Sequence, residues 1–194
     1  MPHVRNEAAM AFVLIAVIIG LLTVIAAMRA LPGTYRPAPI PADLQPERPA
    51  ADDPRELLLA RIQRQGDPSD AACPPIAVSV ADFFQGNGDA NSIGRGLSPH
   101  PSLEKFRQVL AKISQRQNVQ AVLVGIKEVN AEDPNAWPVS TNVYILAWAS
   151  QDSVARWLAE LKPEQVSEGY PISGKPPAAP NLMEDAKVFT AWWE

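Results

Sequence analysis

The sequence predicts an α+β protein: a ferredoxin-like βαββαβ domain carried behind an N-terminal transmembrane helix and a proline-rich linker. Three observations predict it. Residues 8–28 contain no charge and a single polar side chain, Thr23. Half of the 20 prolines fall between Pro32 and Pro75. From Ile76 onward, strand-like apolar stretches, the first with period two, alternate with stretches of helical period in the order β-α-β-β-α-β. The expected division is a tail and anchor over 1–29, a linker over 30–75 with a short helix near 54–65, and the domain over 76–194.

The anchor comes first. About 21 helical residues at roughly 1.5 Å each span about 30 Å, the thickness of a hydrocarbon core. Eleven large apolar side chains in the run together favour insertion by on the order of 4 kcal/mol at most. A cleaved signal peptide has a shorter apolar region and small residues at its cleavage site, whereas this run ends in Met28 and Arg29. The only cysteine, Cys73, is far from the run, which excludes a lipoprotein, an internal disulfide and a cysteine zinc site. The expected partner of residues 8–28 is the lipid bilayer, and the expected location is a single-pass bacterial inner-membrane protein. Arg5 on one side and Arg29 and Arg36 on the other nearly balance the positive-inside rule. The short tail and long C-terminal part favour a signal anchor with the domain on the extracytoplasmic side.

The linker carries Pro32, Pro37, Pro39, Pro41, Pro46 and Pro49. Prolines at this density fix φ and remove donors, so an extended polyproline-like arm is expected. Asp52 or Asp53 can then cap a helix with Pro54 in its first turn. Leu57, Leu58, Leu59 and Ile62 form its apolar stripe, for docking on a partner or on its own domain, the second being favoured.

In the domain, a strand is expected over 76–80. A helix follows Ser98 or Ser102 and presents Leu103, Phe106, Val109, Leu110 and Ile113 on one face. Strands are expected over 119–129 and 142–148. Ser150 caps a second helix with Val154, Trp157, Leu158 and Leu161 inward, and the last strand covers 187–193. The βαββαβ order places the long connections 81–101, 130–141 and 162–186 on one rim, which makes that rim the candidate surface.

The rim supplies the candidate binding residues Asp82, Asn87, Asp89, Arg95, His100, Trp137 and Tyr170. Asn87, Asp89 and Asn91 alternate as in a calcium loop, but Ser92 and Ser98 occupy the sixth and twelfth places, where EF-hands need glycine and glutamate. The glycines of this loop miss the dinucleotide register at Asn91. Gly169 to Lys175 nearly matches a phosphate loop, but Pro176 replaces the metal-binding hydroxyl and blocks the helix that would hold the phosphate. With two histidines and no H-E-x-x-H pattern, no metal site, cofactor or serine triad is expected. The net charge of −4 argues against a nucleic-acid partner.

Asp82-Phe83-Phe84 with Gly86-Asn87, Ser92-Ile93-Gly94, His100-Pro101, Trp137-Pro138 with Thr141, Val143-Tyr144 and the closing Trp192-Trp193-Glu194 resemble a family of uncharacterised bacterial proteins. The resemblance covers the whole domain but neither anchor nor linker, and it implies a shared fold without a catalytic residue to carry over. The expected function is a membrane-anchored, non-catalytic module that binds a protein partner in an envelope assembly, by analogy with ferredoxin-like domains of secretion and pilus platforms. Two alternatives stand beside it. One is a hydrolase or transferase using Asp82, Asp89, Arg95 and His100, and the other is an immunity-like protein that neutralises a toxin.

Overall fold

The computed structural model describes residues 53–130, 132–133 and 135–193. The anchor expected over 8–28 and the prolines up to residue 52 lie outside these. Among the described residues no helix is long and apolar enough to cross a membrane.

The first element, α1 (Pro54–Gln63), starts where Asp53 accepts a hydrogen bond from the Arg55 amide at 2.9 Å. Its one-turn pair Leu58 and Ile62 is fully buried, so the helix packs on its own domain. β1 (Ile76–Ser79) ends one residue before the expected limit, because the Ser79 hydroxyl accepts from the Asp82 amide and opens a short helix, α2 (Val80–Phe84). A loop with one 3-10 turn at Ala90–Ser92 leads to α3 (Leu103–Ser114), capped by Ser102 rather than Ser98. β2 (Val119–Ile126), β3 (Asn142–Ala147) and α4 (Gln151–Leu158, extended by a 3-10 turn at Ala159–Leu161) follow. The chain closes with β4 (Gln165–Glu168) and β5 (Lys187–Trp192).

The protein is therefore α+β with one antiparallel sheet of five strands, in the order β1-β2-β3-β5-β4. This corrects the ferredoxin-like expectation. That fold needs a parallel β-α-β crossover with another strand inserted between the pair. Here β2 lies directly beside β1 and antiparallel to it, with Ile76 opposite Ile126 and Ser79 opposite Leu123. The cause is the loop 85–102. With β1 running upward, this loop carries the chain back to the lower end, where Ile93 pairs with Ser140. The loop makes the return that a crossover helix would have made, so α3 ascends and β2 descends.

The common rim disappears with that topology. The landing of the first loop and the connection 127–141 lie at the lower end. The third long connection is interrupted by β4, and its remainder, 169–186, joins the upper ends of β4 and β5, where Gln120 and Trp148 donate to the carbonyls of Asn181 and Glu184. The analogy with secretion and pilus platforms rested on the ferredoxin order and falls with it.

The two faces of the sheet are covered differently. Ile76, Val78, Val122, Val124, Ile126, Val143, Ile145, Phe189 and Ala191 meet Leu58, Phe83, Phe106, Leu110, Val154 and Leu158 from the helices in the main core. The opposite face carries a small cluster of Ala77, Leu123, Tyr144, Leu146 and Val188, covered by Ala179 and Tyr170 from the loop 169–186. A glutamine bonds one residue on each outer edge strand. Gln65 bonds the outward carbonyl and amide of Ala77 at 2.9 and 3.2 Å, and Gln151 donates to the Val166 carbonyl at 2.8 Å.

Candidate functional site

At the lower end, most of the expected site residues are occupied in holding loops. Asn87 donates to the Phe83 carbonyl and the Ser92 hydroxyl, and its own oxygen accepts from the Asp89 amide at 2.9 Å. Asp89 in turn accepts from the Asn91 amide and caps the 3-10 turn. Trp137 is buried, with its indole N–H donating to the Phe83 carbonyl at 2.9 Å, as a packing plug does. Arg55 of α1 ties the neighbouring loop down through the carbonyls of Ala136 and Asp133. The structure thus brings Asn87, Asp89 and Trp137 together, and Arg55, Asp89 and Trp137 line one shallow depression.

The remaining candidates stand apart. Asp82 pairs with Arg61 of α1 at 2.8 Å. The Nδ1 of His100 accepts from the Ser102 amide at 3.0 Å, so its proton sits on Nε2, which meets the Ile93 carbonyl at 2.8 Å. Both ring nitrogens are thereby engaged while the ring leans on Phe106. Arg95 is exposed. Among the described residues no hydrogen bond or ion pair joins any two of Asp82, Asp89, Arg95 and His100, and no group of three metal-ligating side chains is found.

Tyr170 lies elsewhere, on the second face of the sheet, and there the structure shows a site that sequence reasoning missed. Residues opposite one another on neighbouring strands share a face. Ala77, Gly125, Asn142 and Trp192 therefore form one row across the sheet, and Ser79, Leu123, Tyr144 and Thr190 form the next. The loop 169–186 covers the upper rows. It is held by the Thr190 hydroxyl donating to the Gly169 carbonyl and by Gln120 bracketing Asn181 and Met183. The lower rows stay open as a groove of about 240 Å3 between the segment 68–75 and Pro171 and Ser173, floored by Thr141, Asn142, Tyr144 and Trp192.

The floor is unusual in its hydrogen bonding. Asn142 is 6% exposed, yet its Nδ2 has no partner, and the buried Tyr170 hydroxyl has none either. Leaving such a group unpaired costs about 1–3 kcal/mol. Gly125 makes the arrangement possible. A Cβ there would stand 2.5 Å from the Asn142 Oδ1 and 2.8 Å from its Cγ, so only glycine lets the amide lie across the neighbouring strand. Burial pushes the Tyr144 hydroxyl above its ordinary pKa, opposed by the neighbouring Asn142 side chain. Tyr170 is pushed up by burial and then by Tyr144, whose ring centroid is 5.7 Å away. Both phenols thus stay protonated at neutral pH and can donate. The sequence signal was a glycine inside the β-branched run of β2, and it could be read only with the register that sets it against Asn142.

This architecture defines a class: a small α+β module whose antiparallel sheet has helices on one face and a loop-walled polar groove on the other. The chain belongs to the Uncharacterized protein YfbO family, whose model matches residues 53–191, in line with the resemblance to an uncharacterised bacterial family. It is 30% identical over 118 residues to the Uncharacterized protein YfbO of Escherichia coli (strain K12), an alignment that covers 60% of this chain and 82% of that protein. No solved structure matches the chain.

Proposed function

We propose that this protein is a membrane-anchored, non-catalytic binding module. Residues 8–28 hold it in the bilayer, the prolines beyond them form a stiff arm, and the groove on the second sheet face receives a protein partner on the extracytoplasmic side. The observation that supports this reading is the groove itself, walled by the segment 68–75 and by Pro171 and Ser173 over a floor that includes Asn142 and Tyr144. A concave, loop-walled surface with polar groups on its floor is the form a binding site takes. The charged candidates for acid–base chemistry are, by contrast, dispersed over separate partners.

The test is capture of partners from detergent-solubilised membranes with the full chain and with the Asn142→Asp variant. The expected result is a partner recovered reproducibly with the natural chain and depleted with the variant. Recovery of no partner by either would overturn the reading.

A further inference from the structure

We infer that residues 170–173 form a flap on the groove of the second sheet face, hinged at Gly169 and Gly174, and that the flap lifts to admit the partner. This names the regulation of the proposed binding site and rests on that reading. Both sides of the flap are fixed. On one, the Gly169 amide donates to the Val188 carbonyl at 2.8 Å, and its carbonyl accepts from the Thr190 hydroxyl at 2.7 Å. On the other, Pro176 and Ala179 are buried, while Gln120 and Trp148 hold Asn181, Met183 and Glu184. Between these anchors the chain is barely attached. Among the described residues, no hydrogen bond joins Tyr170, Pro171, Ile172 or Ser173 to the body of the protein. The one bond of the stretch closes its own turn, from the Gly174 amide to the Pro171 carbonyl at 2.8 Å. Ser173 is exposed, and Ile172 is fully so.

The main foothold of the flap is Tyr170, whose ring packs on Tyr144 with centroids 5.7 Å apart. Its hydroxyl is buried there without a partner. The gain from such an aromatic pair and the cost of an unpaired buried hydroxyl are of similar size, so the flap is held down weakly. Lifting returns the hydroxyl to water. The hinges suit that motion. Gly169 and Gly174 have φ of 104° and 98°, and a Cβ at either would meet nothing within 4 Å. Glycine stands at both places for backbone freedom and not for packing space. Pro171 and Ser173, between the hinges, are part of the groove wall. A lifted flap therefore widens the groove and uncovers Tyr144 on its floor.

The experiment treats the full chain in detergent micelles with N-acetylimidazole, which acetylates accessible tyrosine hydroxyls. Tyr144 is 2% exposed, so its acetylation rate, read by peptide mass spectrometry, reports lifting. Tyr170→Phe removes the unpaired hydroxyl, favours the closed flap and should slow that rate about tenfold. Tyr170→Ala removes the foothold and should raise it at least tenfold. Apparent affinity follows the open fraction, so partner capture should fall with Tyr170→Phe and be kept or increased with Tyr170→Ala. Unchanged exchange protection of the Phe189 amide checks that both variants are folded. Equal Tyr144 rates in the three chains would overturn the inference. So would loss of capture with Tyr170→Ala, which would make Tyr170 a direct contact to the partner. Equal rates with a partner still captured would leave the binding-module reading standing without a flap. The expected rates with no partner recovered would keep the flap and overturn that reading.

Discussion

The two faces of the sheet are built from the same five strands and differ in what covers them. The helix-covered face is apolar from Ile76 to Ala191, and its large side chains are sealed: Phe106 meets Trp193 at 5.3 Å, and the Trp193 indole donates to the Leu161 carbonyl at 2.6 Å. The loop-covered face has a smaller apolar cluster and two buried polar atoms without partners. The difference separates two jobs. One face is sealed by packed helices, while the other is left with a groove and two buried polar atoms without a hydrogen-bond partner.

The contrast is sharpest in the response to truncation. Phe106→Ala should cost about 3–5 kcal/mol in urea unfolding, since it empties the centre of the sealed face. A loss under about 1 kcal/mol would show that this face is not the main source of stability. Gly125→Ala should destabilise by about 1–3 kcal/mol by driving a Cβ into the Asn142 amide. Adding Asn142→Ala should recover most of that loss, and a double-mutant cycle measures the coupling. Additive losses would mean that the two residues do not share one space.

Much of the sealed face was legible in the sequence. A period-two run located β1, apolar β-branched and aromatic runs located β2, β3 and β5, and Ser150 and the apolar face from Phe106 to Ile113 located α4 and α3. Three things were not legible. β4 reads Gln165-Val-Ser-Glu168, an edge strand with one apolar residue and no buried face to create a pattern. α2 is five residues long, too short for a helical period to show. Strand order depends on whether a loop or a helix makes the return from β1, and composition is silent on that. The groove was hidden for the same reason: Asn142 looks like an ordinary strand start until the register sets it against Gly125 and next to Tyr144. Tyr170 was chosen as a rim residue and instead belongs to this face.

Smaller effects refine the comparison. Ser150→Ala removes the cap that accepts from the Ser153 amide and should cost about 1 kcal/mol, with α4 fraying first in hydrogen exchange. On the loop-covered face the response should be to alkali. Tyr144 and Tyr170 have folded pKa values raised above the ordinary 10.0. Their contribution is full below the unfolded pKa and is lost as pH rises through the folded value. Stability should therefore hold to about pH 10 and decline above it, and Tyr144→Phe should remove part of that decline. Absorbance at the tyrosinate band checks the titration, and midpoints no higher than free tyrosine would contradict the burial argument.

The most direct test of the central claim is to measure, on one variant, both stability and ligand binding. Asn142→Leu replaces the unpaired amide with an apolar group of similar size. If the groove is the receptive surface, the variant should be as stable as the natural chain to within about 1 kcal/mol, or more stable, while capture of the membrane partner is lost. A stability loss of about 3 kcal/mol or more with binding unchanged would show instead that Asn142 serves the fold and that the groove is not the receptive surface.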